Sequence, residues 1–290
     1  MALRERFGAA IERHPLRREI IATHILNSMV NRVGATFVHR MMDATGAAPP
    51  PIVRAYLLAR EVFALVPTWR AIEVLDNVVS DEVQSQMLNE LGRRTVRATA
   101  WFLRSRRLAE PMDRTIGRFA PAAKQMLEFI AGAPVGAAWR APISERQQAL
   151  EANRVPPELA LAVAAAETSL AALDISEVAE GAQRPLPEVA AAYFAVGELL
   201  GLARLRDQVA ALPADGYWQG MAKTALNDDL AGLQRQITGD ALQAGGTAEW
   251  ERSQSGAIGR ARKMLAEFAD SRHADLAMLS VALRELRSLA

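Results

Sequence analysis

The sequence predicts an all-α fold, a multi-helix bundle, on three grounds. No stretch shows alternating β-branched residues bounded by turn dipeptides, the pattern of a half-buried strand. Apolar residues instead recur at helical spacing through nearly the whole chain. The breaks between these stretches carry helix punctuation: glycine after a helix, proline or serine before the next.

His14 to Met41 reads as one long helix. At 100° per residue Ala22, Ile25, Leu26, Met29, Val30, Val33 and Phe37 share one arc, the expected core face. Thr23, His24, Asn27 and Asn31 gather on the opposite side, interleaved with Ile20, Gly34, Ala35 and Val38. A solvated face normally carries charge, and this one is polar but uncharged. The expectation is therefore a packed seam in which each amide finds a partner, because an unsatisfied buried polar group costs about 1–3 kcal/mol. TGAAPPP (45–51) then breaks the chain, with Gly46 suited to end one helix and the prolines to begin another. IVRAYLLAREVFAL follows and Pro67 interrupts it before TWRAIEVLDNVV. Ser80 is placed as an N-cap, with Asp81 and Glu82 in the first turn, and that helix can run to about Arg107.

Pro111 and Pro121 punctuate the next segment, which ends at AGAPVGAAWRAP. Its Gly, Ala and Pro cluster makes residues 131–142 the candidate linker, between a helical subdomain over 1–130 and an alanine-rich bundle over 143–290. RPLP (184–187) is the second candidate break. No exact internal repeat supports a tandem solenoid.

Half of the 290 residues are hydrophobic, enough for a substantial core, and the net charge is +1. Up to Glu110 there are 16 basic against 11 acidic residues, and beyond it 18 against 22. A nucleic-acid binder is usually more basic, so no nucleic-acid partner is expected. The absence of cysteine excludes disulfides and thiolate metal sites. No uninterrupted apolar run reaches the roughly 20 residues that span a bilayer, and Arg4, Glu5 and Arg6 stand where a signal peptide would be hydrophobic. A cytoplasmic location, with no membrane partner, is the expectation.

Motifs for chemistry are missing. His14, His24, His39 and His273 include no pair at i, i+3 or i+4, so no metal site is expected. Neither GxGxxG nor GxxxxGK[ST] occurs, nor a Gly-x-Ser-x-Gly elbow. One charge pattern does stand out. Arg93, Arg97, Arg104 and Arg107 fall within about 80° of arc beside Trp101. Such a stripe needs screening, by water or salt bridges to other helices with Glu90 and Glu110 as local candidates, by an acidic surface of another domain or subunit, or by phosphate or nucleic acid, for which the rest of the chain gives no support. Phe63, Trp69, Trp101, Phe102, Phe119 and Phe129 fall at helical positions and read as core.

The segments HPLRREIIATHILNSMVNRVGATFVHRM, IVRAYLLAREVF, WRAIEVLDNVV and QSQMLNELGRRTVRATAWFLR resemble the C-terminal region of the large bacterial NAD-specific glutamate dehydrogenases. The likeness is specific across residues 12–107 and thins beyond. It implies that the chain is the C-terminal part of a longer polypeptide with its dehydrogenase domain upstream. That parent enzyme would oxidatively deaminate L-glutamate to 2-oxoglutarate with NAD as cofactor. The family's catalytic residues include a lysine in a Gly-rich segment, a second lysine for the substrate carboxylate and an aspartate. Lys124, Lys223 and Lys263 all sit in helical contexts, so no catalytic, NAD-binding or metal residue carries over.

The resemblance thus implies a noncatalytic domain with a structural, assembly or regulatory role in a homo-oligomeric parent. Its partners would be the upstream catalytic domain or neighbouring subunits, met through Thr23, His24, Asn27 and Asn31 or through Arg93, Arg97, Arg104 and Arg107. Arg97→Glu with Arg104→Glu would then weaken that association. The alternatives are a free-standing helical scaffold for a protein partner, and a module that binds an amino-acid effector in the polar seam.

Overall fold

The computed structural model describes residues 8, 10, 12–132, 136–213, 216–270 and 275–289. Among them it contains fifteen α-helices and two short 3-10 turns and no strand, which is the all-α architecture expected.

The first surprise lies at the N-terminal end. The stretch from His14 to Met41 is two helices, α1 (Arg17–Val33) and α2 (Phe37–Thr45), because Gly34 takes φ +92° and stops the first. Gly46 in the left-handed region ends α2, and Pro49 to Pro51 open α3 (Pro49–Val62), as the break at 45–51 predicts. The next break comes earlier than Pro67. Ala64 adopts φ +47°, and Pro67 is absorbed into the first turn of α4 (Leu65–Glu73), where its missing N–H costs nothing.

Ser80 caps α5 (Asp81–Arg104), its hydroxyl accepting from the Val83 amide at 3.3 Å. At 24 residues α5 is the spine of the N-terminal half, about 36 Å long. It ends at Arg104, and a 3-10 turn over Arg106–Ala109 carries the chain to α6 (Met112–Gly132). Pro121 lies inside α6 and does not end it; likewise Pro142 lies inside α7 (Ala137–Ala152). Helices α8 (Pro157–Ala164), α9 (Ala171–Ala182), α10 (Leu186–Leu199) and α11 (Leu202–Ala211) follow. The long α12 (Tyr217–Gln243), α13 (Thr247–Ser253), α14 (Ser255–Asp270) and α15 (Leu276–Arg287) complete the chain.

Two apolar clusters hold these helices. The first is built on α3 and α5, where Ile52, Tyr56, Leu58, Met87, Leu91 and Phe102 are sealed from solvent. It continues across residues 131–142 to take in Ile143, Leu150, Ile175 and Phe194. The second gathers Val196, Leu202, Ile237, Trp250, Ile258 and Leu286. Along the chain the change from one cluster to the next falls within α10, between Phe194 and Val196, with Leu242 at the end of α12 returning to the first, and α12 packs on α9, α10, α11 and α15. Of the aromatic residues expected in the core, Phe63, Trp69, Phe102 and Phe119 are buried and Trp101 and Phe129 partly so. Trp101, Phe102 and Phe119 meet edge to face with centroids 5.2–5.7 Å apart.

α1 rests on α5 through a close backbone approach at Gly92. A Cβ there would stand 3.1 Å from the Arg32 carbonyl oxygen, tighter than ordinary contact and set by backbone. Gly92→Ala is expected to lift α1 by a few tenths of an ångström, an overpacking cost of about 1–3 kcal/mol that outweighs the roughly 1 kcal/mol alanine gains in helix propensity, because the obstacle is backbone. Thermal unfolding gives the cost, and faster amide exchange in Arg17–Val33 than elsewhere would locate it.

Candidate functional site

The arginine stripe of α5 is spent largely inside the chain. Arg97 pairs with Glu167 in the turn before α9, and Arg104 meets Asp228 of α12 at 2.6 Å. Arg107 holds three carboxylates, Glu110 at 2.8 Å, Glu177 at 2.9 Å and Glu180 at 2.7 Å, while Arg118 shares Glu180. Arg93 is exposed. Of the two local candidates, Glu110 partners the stripe and Glu90 instead binds Arg146 of α7 at 2.5 Å. The acids that screen these guanidinium groups are therefore supplied within the chain, by Glu110, by Glu167 in the turn before α9, and by α9 and α12. Arg97→Glu or Arg104→Glu would break contacts within the chain.

The Arg107 cluster has a pH signature. Hydrogen bonds from Arg107 hold the Glu110 carboxyl below the usual range, and those to Glu177 and Glu110 raise the guanidinium further. Glu110 binds its proton less readily folded than unfolded. Its contribution is thus present above the unfolded pKa and lost as pH falls through the depressed value. Between about pH 5 and 3 the melting temperature of the native chain should fall more steeply than that of Glu110→Gln, measured by circular dichroism.

Beside the stripe lies a buried polar knot. Asp174 of α9 is 6% exposed and accepts from three donors: Trp101 Nε1 at 2.7 Å, the Tyr193 hydroxyl at 3.2 Å, and Arg235 Nη1. The Tyr193 carbonyl accepts from Gln234 Nε2 at 2.7 Å, and Gln234 Oε1 accepts from Arg206 Nη2 at 2.6 Å. Arg206 in turn lies over the Trp139 ring at 5.3 Å. Burial, then the charge of Asp174, pushes the Tyr193 hydroxyl well above its ordinary pKa. A carboxylate with three donors is held as an acceptor, and the knot ties α5, α9, α10 and α12 together. None of these residues was singled out from the sequence except Trp101. The available signal was a lone aspartate inside an apolar run, SLAALDISEV.

The polar residues of α1 lie elsewhere than the packed seam expected. Thr23, His24, Asn27 and Asn31 are all exposed, and so are Ala22, Leu26 and Val30 of the expected core face. Met29, Val33 and Phe37 are buried as predicted. The inner face is rotated toward Ser28 and Arg32, because both find partners there. Ser28 Oγ lies 3.2 Å from the Tyr56 hydroxyl, and Arg32 pairs with Glu73 and lies over Trp69 at 4.9 Å. What remains outside is a face with Leu16, Ile20, Leu26 and Val30 set among four uncharged polar residues.

The histidines are dispersed. His14 Nδ1 accepts from the Leu16 amide, His24 is exposed, His39 faces Asp43 at 3.6 Å, and His273 lies outside the described residues. Among the described residues no group of three metal-ligating side chains comes together. Lys223 caps α11 through the Ala210 and Leu212 carbonyls, and Lys124 lies beside Glu128. A cavity of about 170 Å³ lined by Ile130, Arg140, Ser144 and Gln147 opens between α6 and α7; drug-sized ligand sites take roughly 300–1,000 Å³. Among the described residues no single helix is long and apolar enough to cross a membrane.

Residues 1–288 match the family described as glutamate dehydrogenase, C-terminal. Three curated relatives carry the description NAD-specific glutamate dehydrogenase. That of Pseudomonas aeruginosa is 38% identical over 299 residues, that of Halomonas elongata 36% over 296, and that of Mycobacterium tuberculosis 31% over 300. Each alignment takes in 99% of this chain but only 18% of the relative, so the chain spans about a fifth of the length of the proteins it resembles. A match over nearly the whole chain, joined to an all-α fold, places it in the glutamate dehydrogenase C-terminal family.

Proposed function

We propose that this chain is a noncatalytic helical domain of an NAD-specific glutamate dehydrogenase, packing against the dehydrogenase portion of the same polypeptide to stabilise or assemble it. The parent reaction would convert L-glutamate, NAD and water to 2-oxoglutarate, ammonia and NADH. NAD would bind the dehydrogenase portion, since the chain carries neither a nucleotide fingerprint nor a lysine in a Gly-rich segment.

The observation that carries this reading is the outer face of α1. Leu16, Ile20, Leu26 and Val30 stand in solvent on one helix although the helix has a well-formed inner side, and large apolar side chains rimmed by uncharged polar ones on one element are what an interaction surface offers. The arginine stripe serves differently, locking α5 to α12 through Arg104 and the turn that follows α5 to α9 through Arg107, so that the domain presents α1 on a fixed frame.

The test has two parts. The reading frame upstream of the Met1 codon should stay open through a lysine-bearing Gly-rich segment and a dinucleotide fingerprint. The 290-residue chain, mixed with L-glutamate and NAD, should form no NADH, while the full-length polypeptide does. Turnover by the chain alone, or a frame closed just before Met1, would sink the proposal.

A further inference from the structure

On the outside of α1 the residues Leu16, Ile20, Thr23, Asn27 and Val30 are spaced four, three, four and three apart. At 100° per residue they form one seam about 80° wide. Over two heptads this is the spacing with which one helix meets another side by side, with Ile20 and Asn27 at one core position and Leu16, Thr23 and Val30 at the other. All five are exposed, Leu16 and Ile20 at 56% and Val30 at 45%. The seam points away from Met29 and Val33, so it is additional to the side that holds α1 on the domain.

We propose that this seam receives one more amphipathic helix, running alongside α1 and supplied by the part of the polypeptide outside these 290 residues. The proposal rests on the reading that the chain is joined to a dehydrogenase. The seam specifies its occupant chemically. Apolar side chains must lie opposite Leu16, Ile20 and Val30. Hydrogen-bonding side chains must lie opposite Thr23 and Asn27, because a buried hydroxyl or amide without a partner is costly, and such a polar core position fixes the register of the pair. Glu19 on one flank and Arg17 on the other ask for charges of opposite sign.

Size decides between a tethered helix and a second copy of the chain. A stable interface between free molecules uses roughly 20–30 residues a side, whereas a helix of 17 residues, about 26 Å long, offers only one face. A seam this short holds its partner when the two are covalently connected, at effective concentrations in the millimolar range.

Amide exchange across Ile20–Val33 should therefore be about tenfold slower in the full-length polypeptide than in the 290-residue chain, which corresponds to about 1.4 kcal/mol of docking. Ile20→Asp with Val30→Asp should abolish the slowing and leave the far-ultraviolet circular dichroism of the 290-residue chain unchanged, since both side chains are exposed. Equal exchange in the two proteins would overturn the seam while leaving attachment to the dehydrogenase standing. Absence of any longer polypeptide would remove the proposed function and the inference with it. A concentration-dependent dimer of the 290-residue chain in sedimentation, lost in the double variant, would show that the occupant is a second copy and overturn the tethered helix.

Discussion

Asp174→Ala is expected to lower the stability of the chain by about 3–5 kcal/mol, the cost of removing one member of a buried charged network. The carboxylate accepts from Trp101, Tyr193 and Arg235, and truncation leaves all three donors facing an apolar gap. Tyr193 is 3% exposed, so its hydroxyl has little access to water. Arg235 sits at the rim and can recover some hydration, which holds the cost toward the lower end of that range. Asp174→Asn separates charge from shape: it keeps an acceptor and the volume, and should lose less. Guanidinium denaturation followed by tryptophan fluorescence measures both. Because Arg235 lies on α12, the substitution also loosens the joint between the two apolar clusters. The transition of Asp174→Ala should accordingly broaden as the clusters unfold less cooperatively. An unchanged midpoint would mean that the knot contributes nothing to holding the two halves together.

Fold class and most helix boundaries were legible because they depend on local chemistry. Gly46, Pro49 and Ser80 act on the residues beside them, and each does what its side chain or backbone dictates. Prolines were harder to place. Pro67 falls in a first turn and Pro121 within α6, and packing of Phe119, Ala122 and Met126 outweighs the lost hydrogen bond at Pro121. The orientation of α1 was legible only in part. Periodicity counts Ser28 and Arg32 as outward residues, and their inward placement depends on Tyr56, Glu73 and Trp69, which lie 28 to 41 positions away. The arginine stripe was visible as a pattern, but its acids are up to 124 positions distant. No local rule could tell an acidic surface on another domain from one on α9 and α12.

Arg94→Met is expected to stabilise the chain by about 1–4 kcal/mol, as replacement of buried charge by a well-packed apolar side chain does elsewhere. Arg94 is 5% exposed on the inner side of α5, and its described partners are the Ser169 hydroxyl at 3.3 Å and the face of Phe63 at 5.1 Å. Its Nε is buried without an acceptor. Burial pushes the guanidinium down to about 10, so it is still charged at neutral pH. A base whose folded pKa is lowered binds its proton more weakly folded than unfolded, so the charge opposes folding at every pH below the folded value. The gain from Arg94→Met should therefore be constant from about pH 5 to 9, the interval in which arginine does not titrate. Methionine follows the arginine stem and keeps contact with Phe63 through its sulfur. Arg94→Ala should gain less or lose, because the vacated volume adds a cavity cost. Chemical denaturation of the three proteins orders them. If Arg94→Met instead destabilises the full-length polypeptide while stabilising the 290-residue chain, the guanidinium has an acceptor from beyond these residues, and the cost of burying it here is a cost of assembly.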